Sequence, residues 1–377
     1  MWSNEPMATI EGFRPPPYPY DRLVELREIA QHHDGGCVDL SVGTPSDAPP
    51  DFVVTAMATS GSERSYPFSI GSAAYRDAAA GWMQRRLGVS VDPGQIAACI
   101  GTKEVVAGVP HWLRLRTPSR DTVLYPEVSY PSYEMGATLA GCRAVPVPLD
   151  AHWRLDLAAI DPADVERALC LWVNTPGNPA GGLDDVTAAA AWGRAHAVPV
   201  FSDECYVEFT WDGPRRTILE SGTDGVVAVH SLSKRSNLAG LRAGFYAGDA
   251  ELVDYLSEVR KHAGFMVPGP VQAAAIAAWG DDDHVEAQAA RYRARLERGR
   301  AILTALGVDA PFPGGAFYLW PEAPAGDAWA FARRLATEAG LLVSPGEFYG
   351  PAAATHVRLA MVAPMDRLDL VAARVGA

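Results

Sequence analysis

Short apolar runs, separated by alanine-rich stretches, fill the middle of the chain. From about residue 97 the runs IAACIG, DTVLYPE, AVPVP, ALCLWVN, VPVFSDE and GVVAVHS follow one another. Each is strand-length, and the segments between most of them predict helices over residues 105–115, 131–140 and 184–196. Strands alternating with helices predict a mostly parallel sheet, buried on both faces. Ahead of this region, FRPPPYPY closes a proline-rich arm of about twenty residues that reads as extended chain. A helix is predicted over residues 20–33, with Leu23, Leu26, Ile29 and Ala30 on one face. CVDLSVGTPSD then reads as a short strand entering a turn. From about residue 284 the pattern becomes one long charged helix, HVEAQAARYRARLERGRAILTAL. GGAFYLWP, AWAFARRLATEAG, LLVSP and HVRLAMV follow as a smaller α+β unit. The expected class is therefore α/β, a large domain around a mostly parallel sheet with a smaller α+β domain.

Composition narrows the function. The chain has 377 residues, enough for two domains or one with an appendage, and it is 48% hydrophobic. A net charge of -13 argues against nucleic-acid and anionic-membrane partners, which need a basic surface. Cys37, Cys99, Cys142, Cys170 and Cys205 form no CxxC pair and no metal-ligand spacing. They read as reduced thiols of a cytoplasmic protein with no metal site. MWSNEPMATIEGF has neither a basic start nor a long apolar stretch, so no secretory signal is expected, and no segment is apolar for long enough to span a membrane.

Polar clusters stand where the apolar runs stop. GTKE (101–104) follows IAACI, NTPGNPAGG (174–182) follows ALCLWV, SDECY (202–206) follows VPVF, and SLSK (231–234) follows GVVAVH. Ligands of open α/β sheets bind just beyond the carboxyl ends of the strands, so four such clusters are candidates for one site. Singly, each has a plain structural reading: Gly101-Thr102 as a strand–helix turn, Asn178-Pro179 as a turn, Asp203 as a helix cap, Lys234 as a surface charge. Lysine use adds a second pointer. Lysine and arginine total 32, yet only Lys103, Lys234 and Lys261 are lysines. An arginine supplies positive charge anywhere but never a nucleophilic amine.

Taken in order, NTPGNPAGG, SDECY, SLSKRSNLAGLRAG and the late arginine of HVRLAMV resemble the class I/II, fold-type I aminotransferases that use pyridoxal 5'-phosphate. The likeness runs from SVGTP, at about residue 43, to VRLAMV at 357–362. GTKE, PEVSYPSYEMG and RKHAGFMVPGPVQAA are most similar to the actinobacterial type of succinyldiaminopimelate aminotransferase. The resemblance implies an N-terminal arm with part of the small domain over 1–46, a large cofactor domain over 47–280 and a small domain over 281–377. It also implies a homodimer with shared active sites.

Residue by residue, the resemblance implies that Lys234 forms the Schiff base with the cofactor and then moves the proton as general base and acid. Asp203 would pair with the pyridinium nitrogen, Asn178 and Tyr206 with the ring oxygen, and Tyr130 would stack on the ring. Thr102 and Lys103, opening a helix, would present N–H groups to the phosphate, with Ser231, Ser233 and Arg242 completing the cup. Tyr66 would reach the phosphate of the neighbouring subunit; its other reading is a core tyrosine. Arg358 would hold the substrate α-carboxylate with its bidentate fork, joined by Asn178 and a Gly43 N–H. Its other reading is a strand-edge charge. Lys261, beside His262, reads first as a solvated helix-end charge.

The implied reaction transfers an amino group between glutamate/2-oxoglutarate and N-succinyl-2-amino-6-oxopimelate, on the route to lysine and diaminopimelate. Rivals are an aminotransferase for aspartate or an aromatic amino acid, a C–S β-lyase using the same cofactor residues, and a cofactor-binding sensor domain of a transcription regulator. The last is disfavoured because only a short arm precedes the fold. No residue stands out for the succinyl carboxylate; Arg14, Arg64 and Arg116 are unranked candidates.

Overall fold

A computed structural model describes residues 12–377; the start of the proline-rich arm, including most of MWSNEPMATIEGF, lies outside the described residues. In chain order the strands are Val38–Asp39 (β1), Ile96–Cys99 (β2), Thr122–Pro126 (β3), Arg143–Val147 (β4), Ala168–Asn174 (β5), Val200–Asp203 (β6), Val226–Ser231 (β7), Gly244–Gly248 (β8), Tyr318–Leu319 (β9), Leu341–Leu342 (β10), Ser344–Pro345 (β11) and Val357–Ala360 (β12). Seven form the central sheet in the order β2-β8-β7-β6-β5-β3-β4. Only β8 runs antiparallel to its neighbours. All six predicted strands of the middle region are present. Every residue of β5 is buried, as a strand covered on both faces requires.

The strand that the apolar pattern does not mark is β8, GFYAG. Its terminal glycines are there for backbone approach. A Cβ on Gly244 would come 2.5 Å from the His230 carbonyl, and one on Gly248 would collide with the Val226 carbonyl. A strand bracketed by glycines loses the side-chain signature that reveals strands in sequence.

One apolar cluster packs on each face of the sheet. Val173, Ala228 and Phe245 face one side; Trp172, Phe201 and Tyr246 face the other. A third cluster joins Leu23, Leu26 and Leu40 to the C-terminal elements through Leu335, Leu341 and Leu359. The long charged helix, Asp283–Ala305, spans the gap. Its Val285 and Tyr292 pack with Tyr206 and Phe317, and its Leu296 and Leu303 belong to the third cluster. The predicted helix over 20–33 is observed as a 3₁₀ turn, Pro19–Leu23, followed by Val24–Gln31. Pro19 at the entry fixes a backbone angle suited to a first turn and lacks an N–H. Among the described residues no helix is long and apolar enough to cross a membrane.

Candidate active site

β2, β5, β6 and β7 deliver their polar ends to one cavity of about 370 Å³. Gly43, Thr102, Lys103, Tyr130, Asn178, Asp203, Tyr206, Ser231, Ser233, Lys234, Arg242 and Arg358 all line it. Tyr66 does not; its side chain is 96% exposed, which removes the core-tyrosine reading. None of Arg14, Arg64 and Arg116 lines the cavity; Arg116 pairs with Glu251 at the far end of its helix, and Arg64 is exposed two residues from Tyr66. Lys261 is an exposed helix-end charge, 3.2 Å from Glu258.

Lys234 lies on a single helical turn, Leu232–Arg235, immediately after β7. Its Nζ donates to the Gly43 carbonyl. Burial in the cavity wall, reinforced by the nearby Arg358 and Arg242, lowers its pKa from 10.5 to about 8. Near neutral pH a useful fraction of this amine is therefore unprotonated, which an exposed lysine does not offer. Ser231 caps the turn by accepting the Ser233 N–H at 3.0 Å.

Asp203, at the end of β6, is 7% exposed. It accepts from Tyr133 Oη at 2.9 Å and from the Cys205 N–H at 3.2 Å. Burial raises its carboxyl pKa, while Cys205, Tyr133 and Lys234 oppose the rise. A buried carboxylate with spare acceptor capacity favours a cationic partner.

The helix Thr102–Arg116 opens at the cavity, and no side chain caps it. Gly101, at φ 85°, admits the approach of Arg242; a Cβ there would collide with the guanidinium. An uncapped helix N-terminus, two serines and a guanidinium make a donor set for a phosphate. Thr102 Oγ1 accepts from Cys205 Sγ at 3.2 Å.

Arg358, on β12, is 2% exposed, so the strand-edge reading fails. Its Nη1 donates to Asn178 Oδ1 at 2.8 Å and Nη2 to the Ser41 carbonyl at 2.6 Å. The guanidinium carbon lies 4.5 Å from the Tyr318 ring centre and 4.8 Å from that of Tyr349. Its buried Nε has no partner. Such a group calls for an anionic ligand. Tyr206 Oη is hydrogen-bonded to Tyr318 Oη at 2.6 Å. A Cβ on Gly43 would strike that second hydroxyl, so the glycine is required there.

Sequence reasoning missed Tyr18, Tyr20, Tyr133, Cys205 and Tyr318, all of which line the cavity. The signal for two of them was the PYPY repeat; Tyr133 and Tyr318 resemble core tyrosines in sequence and are 1% exposed.

A lysine of lowered basicity, a buried carboxylate, a phosphate cradle and a buried arginine fork form the donor set that pyridoxal phosphate and an amino-acid substrate need together. The profile for Aminotransferase class I and II matches residues 36–375. The chain belongs to the class I and II aminotransferases. This aminotransferase depends on pyridoxal phosphate and has the fold-type I architecture. It is 41% identical over 369 residues to 4-dedimethylamino-4-oxo-anhydrotetracycline transaminase OxyQ of Streptomyces rimosus, covering 96% of this chain and 99% of that protein. It is 34% identical to an LL-diaminopimelate aminotransferase of Desulforudis audaxviator, covering 94% and 93%. Among solved structures it resembles a probable N-succinyldiaminopimelate aminotransferase from Thermus thermophilus, with TM-score 0.84, 30% identity and coverage of 94% and 98%.

Proposed function

We propose that this aminotransferase exchanges an amino group between glutamate/2-oxoglutarate and N-succinyl-2-amino-6-oxopimelate, and acts as a cytoplasmic homodimer. The observation that carries this reading is a further cation, Lys103, in the cavity of Arg358, available to a substrate that carries carboxylates beyond the one beside its reacting carbon. Arg358 is buried with an unpartnered Nε. Lys103 lines the same cavity with its Nζ 5.6 Å from the Tyr130 ring centre, and it has no ion-pair partner among the described residues. The likenesses to a probable N-succinyldiaminopimelate aminotransferase and to an LL-diaminopimelate aminotransferase support a long acidic substrate.

The residues divide the work. Lys234 holds the cofactor, Asp203 keeps its ring nitrogen protonated, and Asn178, Tyr206 and Tyr130 fix the ring. The N-terminus of the Thr102 helix, with Ser231, Ser233 and Arg242, holds the phosphate. Bound pyridoxal phosphate supplies an aldehyde that accepts the amino group and a ring that withdraws electrons. Arg358 clamps the α-carboxylate and so presents the substrate Cα to Lys234, whose Nζ takes the Cα proton and later returns one. Lys103 receives the succinyl carboxylate. Tyr66 stands clear of its own cavity beside Phe68, which is 74% exposed, and this supports a site completed by a second copy. The two sheet-face clusters fall within residues 53–279 and the third is built mainly from residues 23–40 and 296–372, which supports a division at residues 47 and 281 into large and small domains, with the cluster around Tyr206 and Tyr292 joining them.

Lys103→Met tests the reading. A partly solvated charge pair contributes about 1–2 kcal/mol, so kcat/KM for the succinylated substrate should fall roughly five- to thirtyfold. Alanine and phenylalanine, with one carboxylate each, should change by less than about threefold. An equal fall for all three removes Lys103 from specificity. A second reading, with a polycyclic ketone as acceptor, is favoured by the identity to OxyQ and by the wall of Tyr18, Tyr20, Tyr130 and Tyr318.

A further inference from the structure

Lys234 is carried by a helix of four residues, Leu232–Arg235. One turn fixes several backbone angles for very few hydrogen bonds and cannot hold its own orientation. Something outside the turn must aim the amine.

The next residue supplies that anchor. Arg235 is 1% exposed, and each of its five N–H groups has a partner. Nε donates to Glu208 Oε1 at 3.0 Å. Nη1 donates to the Ala278 carbonyl at 2.6 Å and to Ser236 Oγ at 3.3 Å. Nη2 donates to the Asp281 carbonyl at 2.9 Å and to Asp282 Oδ1 at 3.0 Å. The guanidinium lies between Trp82 and Trp279, at 5.8 and 5.2 Å from their ring centres. Glu208, 3% exposed, also accepts from Trp82 Nε1 at 2.7 Å and from Arg86 at 2.9 Å. No donor of Arg235 is left for a ligand, and Arg235 does not line the cavity.

The strap continues along the chain. Ser236 Oγ bonds His284 Nε2 at 2.9 Å, and His284 Nδ1 lies 2.5 Å from Asp281 Oδ1. Asn237 Nδ2 donates to Gln288 Oε1 at 3.2 Å. Three consecutive residues after Lys234 are thus tied to the junction between the helices Gly269–Gly280 and Asp283–Ala305. Neighbouring residues on a helix point about 100° apart, so pinning Arg235 into the core sets the rotation of the turn and with it the exit direction of Lys234.

We propose that Arg235, neutralised by Glu208, is a positioning residue that aims Lys234 into the cavity. The inference rests on Lys234 as the reacting amine. Without the anchor the turn rotates, the amine samples solvent, and it regains the basicity of an exposed lysine.

The test uses Arg235→Met/Glu208→Gln, which removes the most buried ion pair as a unit; Arg86 keeps Glu286, and Asp282 is the more exposed partner of Arg235. In the cofactor-free protein, competitive acetylation followed by peptide mass measurement gives the pH midpoint of Lys234, with exposed Lys261 as internal reference. In the loaded enzyme, kcat and KM for glutamate are measured. The double variant should move the Lys234 midpoint upward toward that of Lys261. It should also lower kcat by about tenfold or more, with KM within about threefold, as a misdirected reacting group requires. Arg235→Lys keeps a cation against Glu208 but loses the fork; it should show the same changes to a smaller degree, and it serves alone if the double variant does not fold. A lowered Tm with unchanged midpoint and kcat in the folded variant would make Arg235 a stability residue only and overturn the proposal. Borohydride reduction of the loaded enzyme separates the two readings. A label on Lys103 or Lys261 sinks both; a label on Lys234 with an unmoved midpoint sinks only this one.

Discussion

Replacing Lys234 by methionine should stabilise the cofactor-free protein, and only below a defined pH. In the unfolded chain this amine titrates near 10.5; in the fold burial lowers it to about 8. At pH 7 both states are mostly protonated, and the folded state then bears a buried charge costing about 3 kcal/mol, from 1.36 kcal/mol per pH unit. Methionine fills similar space without the charge. It forfeits the hydrogen bond to the Gly43 carbonyl, which contributes about 1 kcal/mol. The net gain at pH 7 is then about 2 kcal/mol. Between pH 8 and 10.5 the unfolded wild type binds more protons than the folded one, so wild-type stability rises with pH and the advantage of the variant shrinks. Above pH 10.5 the charge penalty is gone and the wild type is the more stable by the lost hydrogen bond. Urea unfolding of both cofactor-free proteins at pH 7, 8.5 and 10 follows this convergence. A stability difference of the same size and sign at all three pH values would refute the argument that burial sets the basicity of Lys234.

Asp203→Asn should leave fold and cofactor content intact, since Tyr133 can still donate to the amide oxygen, yet lower transamination on the order of a hundredfold. Steady-state rates per bound cofactor check this, and a rate within about threefold of wild type would make the aspartate structural. Tyr66 is tested by re-forming dimers from wild type and a Tyr66→Phe/Lys234→Ala variant. The one lysine-bearing site of the mixed dimer should lose phosphate affinity, measured as cofactor dissociation; a mixed dimer with wild-type cofactor retention would place Tyr66 outside the shared site.

The strand-end clusters were legible because polar and small residues follow apolar runs abruptly at 101–104, 174–182, 202–206 and 231–234. A parallel sheet leaves those ends on one side, so their convergence follows from the alternation itself. Tyr133 and Tyr318 were not legible. Tyr318 sits among apolar neighbours on β9 and Tyr133 in the first turn of the helix Ser132–Leu139, and only the three-dimensional arrangement shows Tyr133 bonded to Asp203 and Tyr318 to Tyr206. Arg235 was hidden differently. It stands one position from Lys234 yet faces the core instead of the cavity, and an arginine within a polar motif does not announce a buried ion pair. The strand β8 escaped because close backbone packing required glycines where side chains would have marked it.

The proposed substrate is long and carries carboxylates beyond the one that Arg358 holds. The direct measurement is kcat/KM in the reverse direction, from N-succinyl-LL-diaminopimelate to 2-oxoglutarate, beside aspartate, phenylalanine, free diaminopimelate and cystathionine. The succinylated donor should exceed free diaminopimelate by roughly five- to thirtyfold or more, the contribution of about 1–2 kcal/mol assigned to the Lys103 contact. A higher kcat/KM for aspartate or phenylalanine, or pyruvate release from cystathionine faster than any transamination, would contradict the proposed substrate.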